Sequence, residues 1–181
     1  MTQKQESIDT RIKMARMHDT MLQKLDEAMD RHEYVEACWL CYAIFEQRIT
    51  RMIQKHIHKC PRQKRAKNDH HVGIATRINC ISKLAKQNYG AYATIDRKVF
   101  KSLLDWCDSR NRLVHALLDI NIYKKYDAEF QKLAKTGYDL VLQVYAEAAK
   151  VRSWCNDNNH FGKFPDVKCR CKKKRCIVEE E

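Results

Sequence analysis

From Glu33 to Ile57, apolar residues return every three or four positions: Val35, Cys38, Trp39, Tyr42, Phe45, Ile49 and Ile53. This spacing lines one face of a helix, and a run this long in a single phase exceeds any ordinary strand. The same period marks Ser7 to about Met29 through Ile8, Ile12, Met21, Leu25 and Met29. It returns from His71 to Gln87 with Ile74, Ile78, Ile81 and Leu84. A fourth helix is predicted to about Leu118, carrying Val99, Phe100, Leu103, Leu104 and Trp106, with Asp96 as the carboxylate cap for its first amides. A fifth runs from about Asp127 to Trp154 through Phe130, Leu133, Tyr138, Val141 and Val144. With 4 Gly and 2 Pro in 181 residues, the chain lacks the turn chemistry of a sandwich or barrel. The expected fold is all-α, a bundle of about five helices. Pro61 closes the second helix into a basic loop reaching Asp69, and Asn88 to Thr94, containing Gly90, reads as a connection.

Residues 1–154 read as the helical domain. Residues 155–181, with Lys168-Cys-Arg-Cys-Lys-Lys-Lys-Arg-Cys176, read as a basic, cysteine-rich appendage. No window approaches 18 consecutive apolar residues, so no membrane span is expected. Met1 to Met14 lacks an apolar signal core, which points to the cytoplasm and to reduced cysteines. Cys38, Cys41, Cys80 and Cys107 fall in helical stretches and read as small core hydrophobes. Cys38 and Cys41 form a Cys-x-x-Cys, but no βαβ pattern surrounds it, so a redox site is not expected. The net charge of +12 favours an anionic partner such as nucleic acid; the plainer reading is a basic surface kept for solubility.

The segment Asp105-Trp-Cys-Asp-Ser-Arg-Asn-Arg-Leu-Val-His-Ala-Leu117 is the most informative. Leu103, Cys107, Val114 and Leu117 form one helical seam, and Arg110 falls on it. A guanidinium on an apolar face is costly unless it is paired or opens to a cleft. Glu46 sits equally out of place among Trp39, Tyr42, Ile49 and Ile53. A Glu46–Arg110 pair would resolve both anomalies; otherwise the long side chains reach the edge of the seam. Asn111 and His115 are four apart and share a face. Arg110 and His115 are about 140° apart on an ideal helix, so they converge only if the helix breaks or a second subunit supplies one half.

Arg110-Asn111-x-x-x-His115 resembles the R-x4-H motif of HEPN (higher eukaryotes and prokaryotes nucleotide-binding) domains, in a late helix of an all-α chain whose earlier long helix carries Glu46. The similarity covers Glu33 to Trp154 by layout more than by letters. It implies a helical bundle, usually a homodimer with a composite active site, and often a metal-independent endoribonuclease acting as a toxin or antiphage effector. Arg110 and His115 would be the catalytic pair, Asn111 would bind or orient the phosphate, and Glu46 would position Arg110. The residue types suit this chemistry: RNA supplies its own 2′-OH nucleophile, His115 moves protons, and Arg110 meets the charge on phosphorus oxygens, with no cofactor or metal required. HEPN toxins under a nucleotidyltransferase antitoxin often extend the motif to His-x-Tyr. Here Ala116 and Leu117 follow His115, and Tyr123 lies too far along, which puts that control in doubt. The rival readings are a non-catalytic HEPN-like nucleotide-binding or adaptor module, and a nucleic-acid binder in which the motif is accidental.

Lys55, Lys59, Arg62, Lys64, Arg65 and Lys67 place six cations in 13 residues and could follow a phosphate backbone, although no aromatic platform lies among them. Alternatively this is a solvated loop. In the tail, Cys155, His160, Cys169, Cys171 and Cys176 could supply a tetrahedral zinc site, but Cys-x-Cys replaces the usual Cys-x2-Cys. A flexible basic tail that clings to RNA or to an acidic partner is the favoured reading.

Overall fold

The computed structural model describes residues 17, 19–54, 73–88, 90–116, 126–158, 169–170 and 177–178. Among them the fold is all-α apart from one short pairing. Helix α1 occupies 19–30, α2 Tyr34–Gln54, α3 Ile74–Lys86, α4 Arg97–Ala116 and α5 Asp127–Asp157, with a 3-10 helix at Gly90–Thr94. Strands β1 (Cys169–Arg170) and β2 (Ile177–Val178) form a two-residue antiparallel ladder. No helix among the described residues is long and apolar enough to cross a membrane.

The chain divides into two compact units, one made of Met1–Ile44 with Trp106–Val141 and the other of Phe45–Asp105 with Leu142–Glu181. In the first, Leu25 and Ala28 of α1, Ala37, Cys38 and Cys41 of α2, Trp106 and Cys107 of α4, and Phe130 and Leu133 of α5 are buried. Helix α1 ends in a pair of crossed hydrogen bonds, Glu33 N–H to Ala28 C=O (2.9 Å) and His32 N–H to Met29 C=O (3.2 Å). This termination needs a left-handed residue, and His32 supplies it at φ 60° where glycine is usual. Tyr138 of α5 donates to Asp26 of α1 at 2.7 Å. The Trp106 indole N–H donates to Leu133 C=O at 2.9 Å.

In the second unit, Phe45, Ile49, Met52 and Ile53 of α2 are buried, as are Ile74, Ile78, Ile81 and Leu84 of α3. The predicted face of α3 therefore holds, while its start moves from His71 to Ile74, with Gly73 at the N-cap. The expected connection after α3 is a 3-10 helix that buries Ala91 and Tyr92. The Tyr92 hydroxyl donates to Met52 C=O (2.9 Å) near the end of α2. Asp96 caps α4 as expected, accepting from Lys98 N–H at 2.8 Å. Its own N–H donates to Glu147 Oε2 at 2.8 Å. Glu147, only 4% exposed, also accepts from Lys150 at 2.7 Å. Helix α5 continues past the expected end at Trp154, and Cys155 is a buried residue of that helix.

Candidate functional site

Arg110 is buried on α4, as its place on the apolar seam predicts, with 8% exposure. Its guanidinium carbon lies 3.9 Å from the centre of the Trp39 ring and 4.7 Å from that of Tyr42. Trp39 and Tyr42 are three apart on α2 and so present neighbouring rings to the cation. A desolvated cation over an indole gains about 2 kcal/mol or more. Arg110 Nη1 donates to Asn111 Oδ1 at 3.2 Å. Its Nε and Nη2 are buried and have no hydrogen-bond partner among the described residues. Trp39, although predicted on the apolar face, is 51% exposed while its ring stays in contact with the Arg110 guanidinium.

Asn111 and His115 are exposed. Helix α4 is unbroken through both, so within one chain Arg110 points inward while His115, about 140° around the axis, points out. Asn111 therefore links the buried cation to the face that carries His115.

The buried thiols flank this cation. Cys38 is pushed up to about 12, mostly by burial, with the charge of Arg110 pulling the other way. Cys107 is likewise pushed up to about 12 by burial and by Asp108, again opposed by Arg110. Cys41 is raised further, by burial and by its neighbour Cys38. Thiols held protonated in this way are poor nucleophiles and poor metal ligands, as the core reading of Cys38 and Cys41 expects. Among the described residues no three metal-ligating side chains converge.

Glu46 belongs to the second unit, half-exposed. Its carboxylate lies 3.7 Å from Arg77 Nη1, which also donates to Thr50. Within this unit its partner is Arg77 of α3. Periodicity identified both out-of-place charges but not their partners. Lys55, Lys59, Arg62, Lys64, Arg65 and Lys67 lie outside the described residues, as do His160, Cys171, Cys176 and Tyr123.

An open groove beside Trp39 is lined by His32, Glu33, Tyr34, Val35, Glu36, Asp127 and Phe130. Its three carboxylates make it unsuited to a phosphate backbone. Two features leave no mark in the sequence pattern. Glu147 looks like any helical glutamate until its two donors are seen. Arg48 and Arg51 look like a solvated face until Tyr145 is placed against them. The chain matches no protein-family model, no curated protein and no solved structure.

Proposed function

We propose that this protein is a HEPN-type endoribonuclease that cleaves single-stranded RNA through the 2′-OH without a metal. The observation that supports this reading is the Arg110 guanidinium, held over Trp39 and Tyr42 with two donor nitrogens unspent, on the helix that presents Asn111 and His115 to solvent. His115 takes the 2′-OH proton and a proton returns to the leaving 5′-oxygen, so the products are a 2′,3′-cyclic phosphate and a 5′-OH end. Arg110 meets the charge that builds on the phosphorus oxygens, and Asn111 holds the phosphate or the guanidinium. Because one unbroken helix turns Arg110 and His115 apart, the working site is composite, formed by a homodimer. Lys55 to Lys67 hold the RNA backbone. The biological setting is a cytoplasmic toxin or antiphage effector restrained by an antitoxin or another regulatory partner.

A second reading is a non-catalytic HEPN-like module that binds nucleic acid or nucleotides, or serves as an adaptor. The 8% exposure of Arg110 and the acidic groove beside Trp39 favour it.

Incubation of the purified protein with mixed-sequence single-stranded RNA in excess chelator, beside His115→Ala, separates the two. Cleavage by the wild type alone, leaving cyclic phosphate ends, supports the enzyme. Equal inertness of both proteins, with RNA retained in a gel shift, supports the module. His115 is exposed, so the substitution leaves the core untouched.

A further inference from the structure

The second unit holds a group of positive charges that the nuclease reading does not use. Arg48 and Arg51 are three positions apart on α2 and share a face. Tyr145 and Arg152 are two turns apart on α5 and also share a face. The Arg48 guanidinium carbon lies 3.8 Å from the centre of the Tyr145 ring, which brings the two faces together. Arg48 Nε and Arg51 Nη2 are buried without a hydrogen-bond partner among the described residues. Burial and the neighbouring Arg48 lower the pKa of Arg51; Tyr145 opposes them, and Arg152 adds to the lowering. Among the described residues, the charged neighbours acting on Arg51 are thus two cations, Arg48 and Arg152, beside the Tyr145 phenol and with no carboxylate. Gln47, one turn before Arg51, adds a buried amide oxygen without a partner among the described residues, but a neutral acceptor does not balance three positive charges.

Guanidiniums gathered without a counter-charge cost free energy, and an anion that reaches them relieves both the repulsion and the unmet donors. We propose that Arg48, Arg51 and Arg152 form a binding site for a phosphate group carrying at least two negative charges, the end of a polyphosphate or a phosphomonoester. The charge count selects this class. A terminal phosphate is close to dianionic at neutral pH, whereas a bridging phosphodiester carries a single charge. The guanidinium fork matches phosphate oxygens, and the Tyr145 ring fixes the plane of Arg48. The site is independent of Arg110 and His115 and stands whether or not the chain cleaves RNA. The same chemistry reaches it from a free polyphosphate or from the phosphorylated end of an oligonucleotide.

The test is a thermal melt of the full chain with inorganic triphosphate against potassium chloride at matched ionic strength, followed by calorimetric titration. Wild type is expected to melt several degrees higher with triphosphate. Arg51→Gln is expected to bind at least tenfold more weakly, on the order expected for a lost charge-assisted hydrogen bond. Arg152→Gln, at an exposed position that the fold tolerates, is expected to weaken binding in the same direction. Without anion, Arg51→Gln is expected to melt no lower than wild type, since it relieves repulsion. No response of the wild type to triphosphate overturns the proposal, as does a response equal in wild type and both variants. A lower melt of Arg51→Gln without anion also overturns it, by showing that an acidic group of the chain already neutralises the cluster. Once triphosphate binding is established, 5′-triphosphorylated and 5′-hydroxyl oligonucleotides of one sequence distinguish the sources. Tighter binding of the phosphorylated one, lost in Arg51→Gln, assigns an oligonucleotide end; equal binding assigns a free polyphosphate.

Discussion

Gly137 of α5 lies against the edge of the Trp106 indole: a Cβ built at Gly137 would sit 2.9 Å from Trp106 Cζ2 and Nε1. The missing side chain is what lets the indole N–H reach Leu133 C=O, one turn earlier on the same helix. Alanine is intrinsically better than glycine in a helix by about 1 kcal/mol. Here the clash outweighs that gain, because Trp106 is buried and has nowhere to retreat. Gly137→Ala is expected to lower stability by about 1–3 kcal/mol in urea denaturation. A more stable variant would show that the indole shifts freely.

Arg110 separates a functional cation from a structural one. Its stacking on Trp39 contributes about 2 kcal/mol when desolvated, while a buried charge with two unmet donors costs several. Arg110→Met keeps the volume and removes the charge, so the variant should be at least as stable as wild type, and on the proposed nuclease reading it should not cleave RNA. A loss of more than about 2 kcal/mol would make Arg110 a structural element and favour the adaptor reading.

The thiols at Cys38 and Cys107 titrate in the folded protein near 12, against an ordinary value of 9.0. For an acid whose folded pKa is raised, the unfolded chain loses its proton first. The associated stability is whole below about pH 9 and falls as the pH rises toward about 12, by up to about 1.4 kcal/mol per pH unit for each thiol. Urea midpoints at about pH 8 and about pH 10.5 should diverge more for wild type than for Cys107→Ala. Parallel slopes would mean that solvent already reaches the thiol.

His32 holds a left-handed conformation at φ 60° to end α1, and its ring stacks on Tyr34 with a 3.1 Å Nδ1 to hydroxyl contact. Glycine relieves the backbone cost of about 1 kcal/mol and loses an exposed contact worth less. His32→Gly is therefore expected to raise the melting temperature by a few degrees. A fall would assign the larger share to the Tyr34 contact.

Local rules carried the sequence reading where one helix decides the outcome. The buried face of α3, the Asp96 cap and the burial of Arg110 follow from period and side-chain chemistry alone. Choices between distant partners were not legible in the same way. Glu46 could find any cation across the fold, and Arg77 is the one that α3 brings near. Asn156 and Asp157 look like loop residues, yet α5 runs through them because no Gly or Pro stops the helix and Cys155 still has a core to enter. The 3-10 helix looks like a bare connection in the sequence because five residues are too few to show a period, and Tyr92 is held by a hydroxyl contact that no pattern encodes.

Trp39 gives the protein a built-in optical reporter. Its indole is half in solvent and in contact with the Arg110 guanidinium, whereas Trp106 is sealed in the core with its N–H bonded. A ligand that draws Arg110 away alters the emission of the solvent-facing indole while Trp106 and the third tryptophan, Trp154, supply a constant background, so occupancy at this cation can be followed without a label.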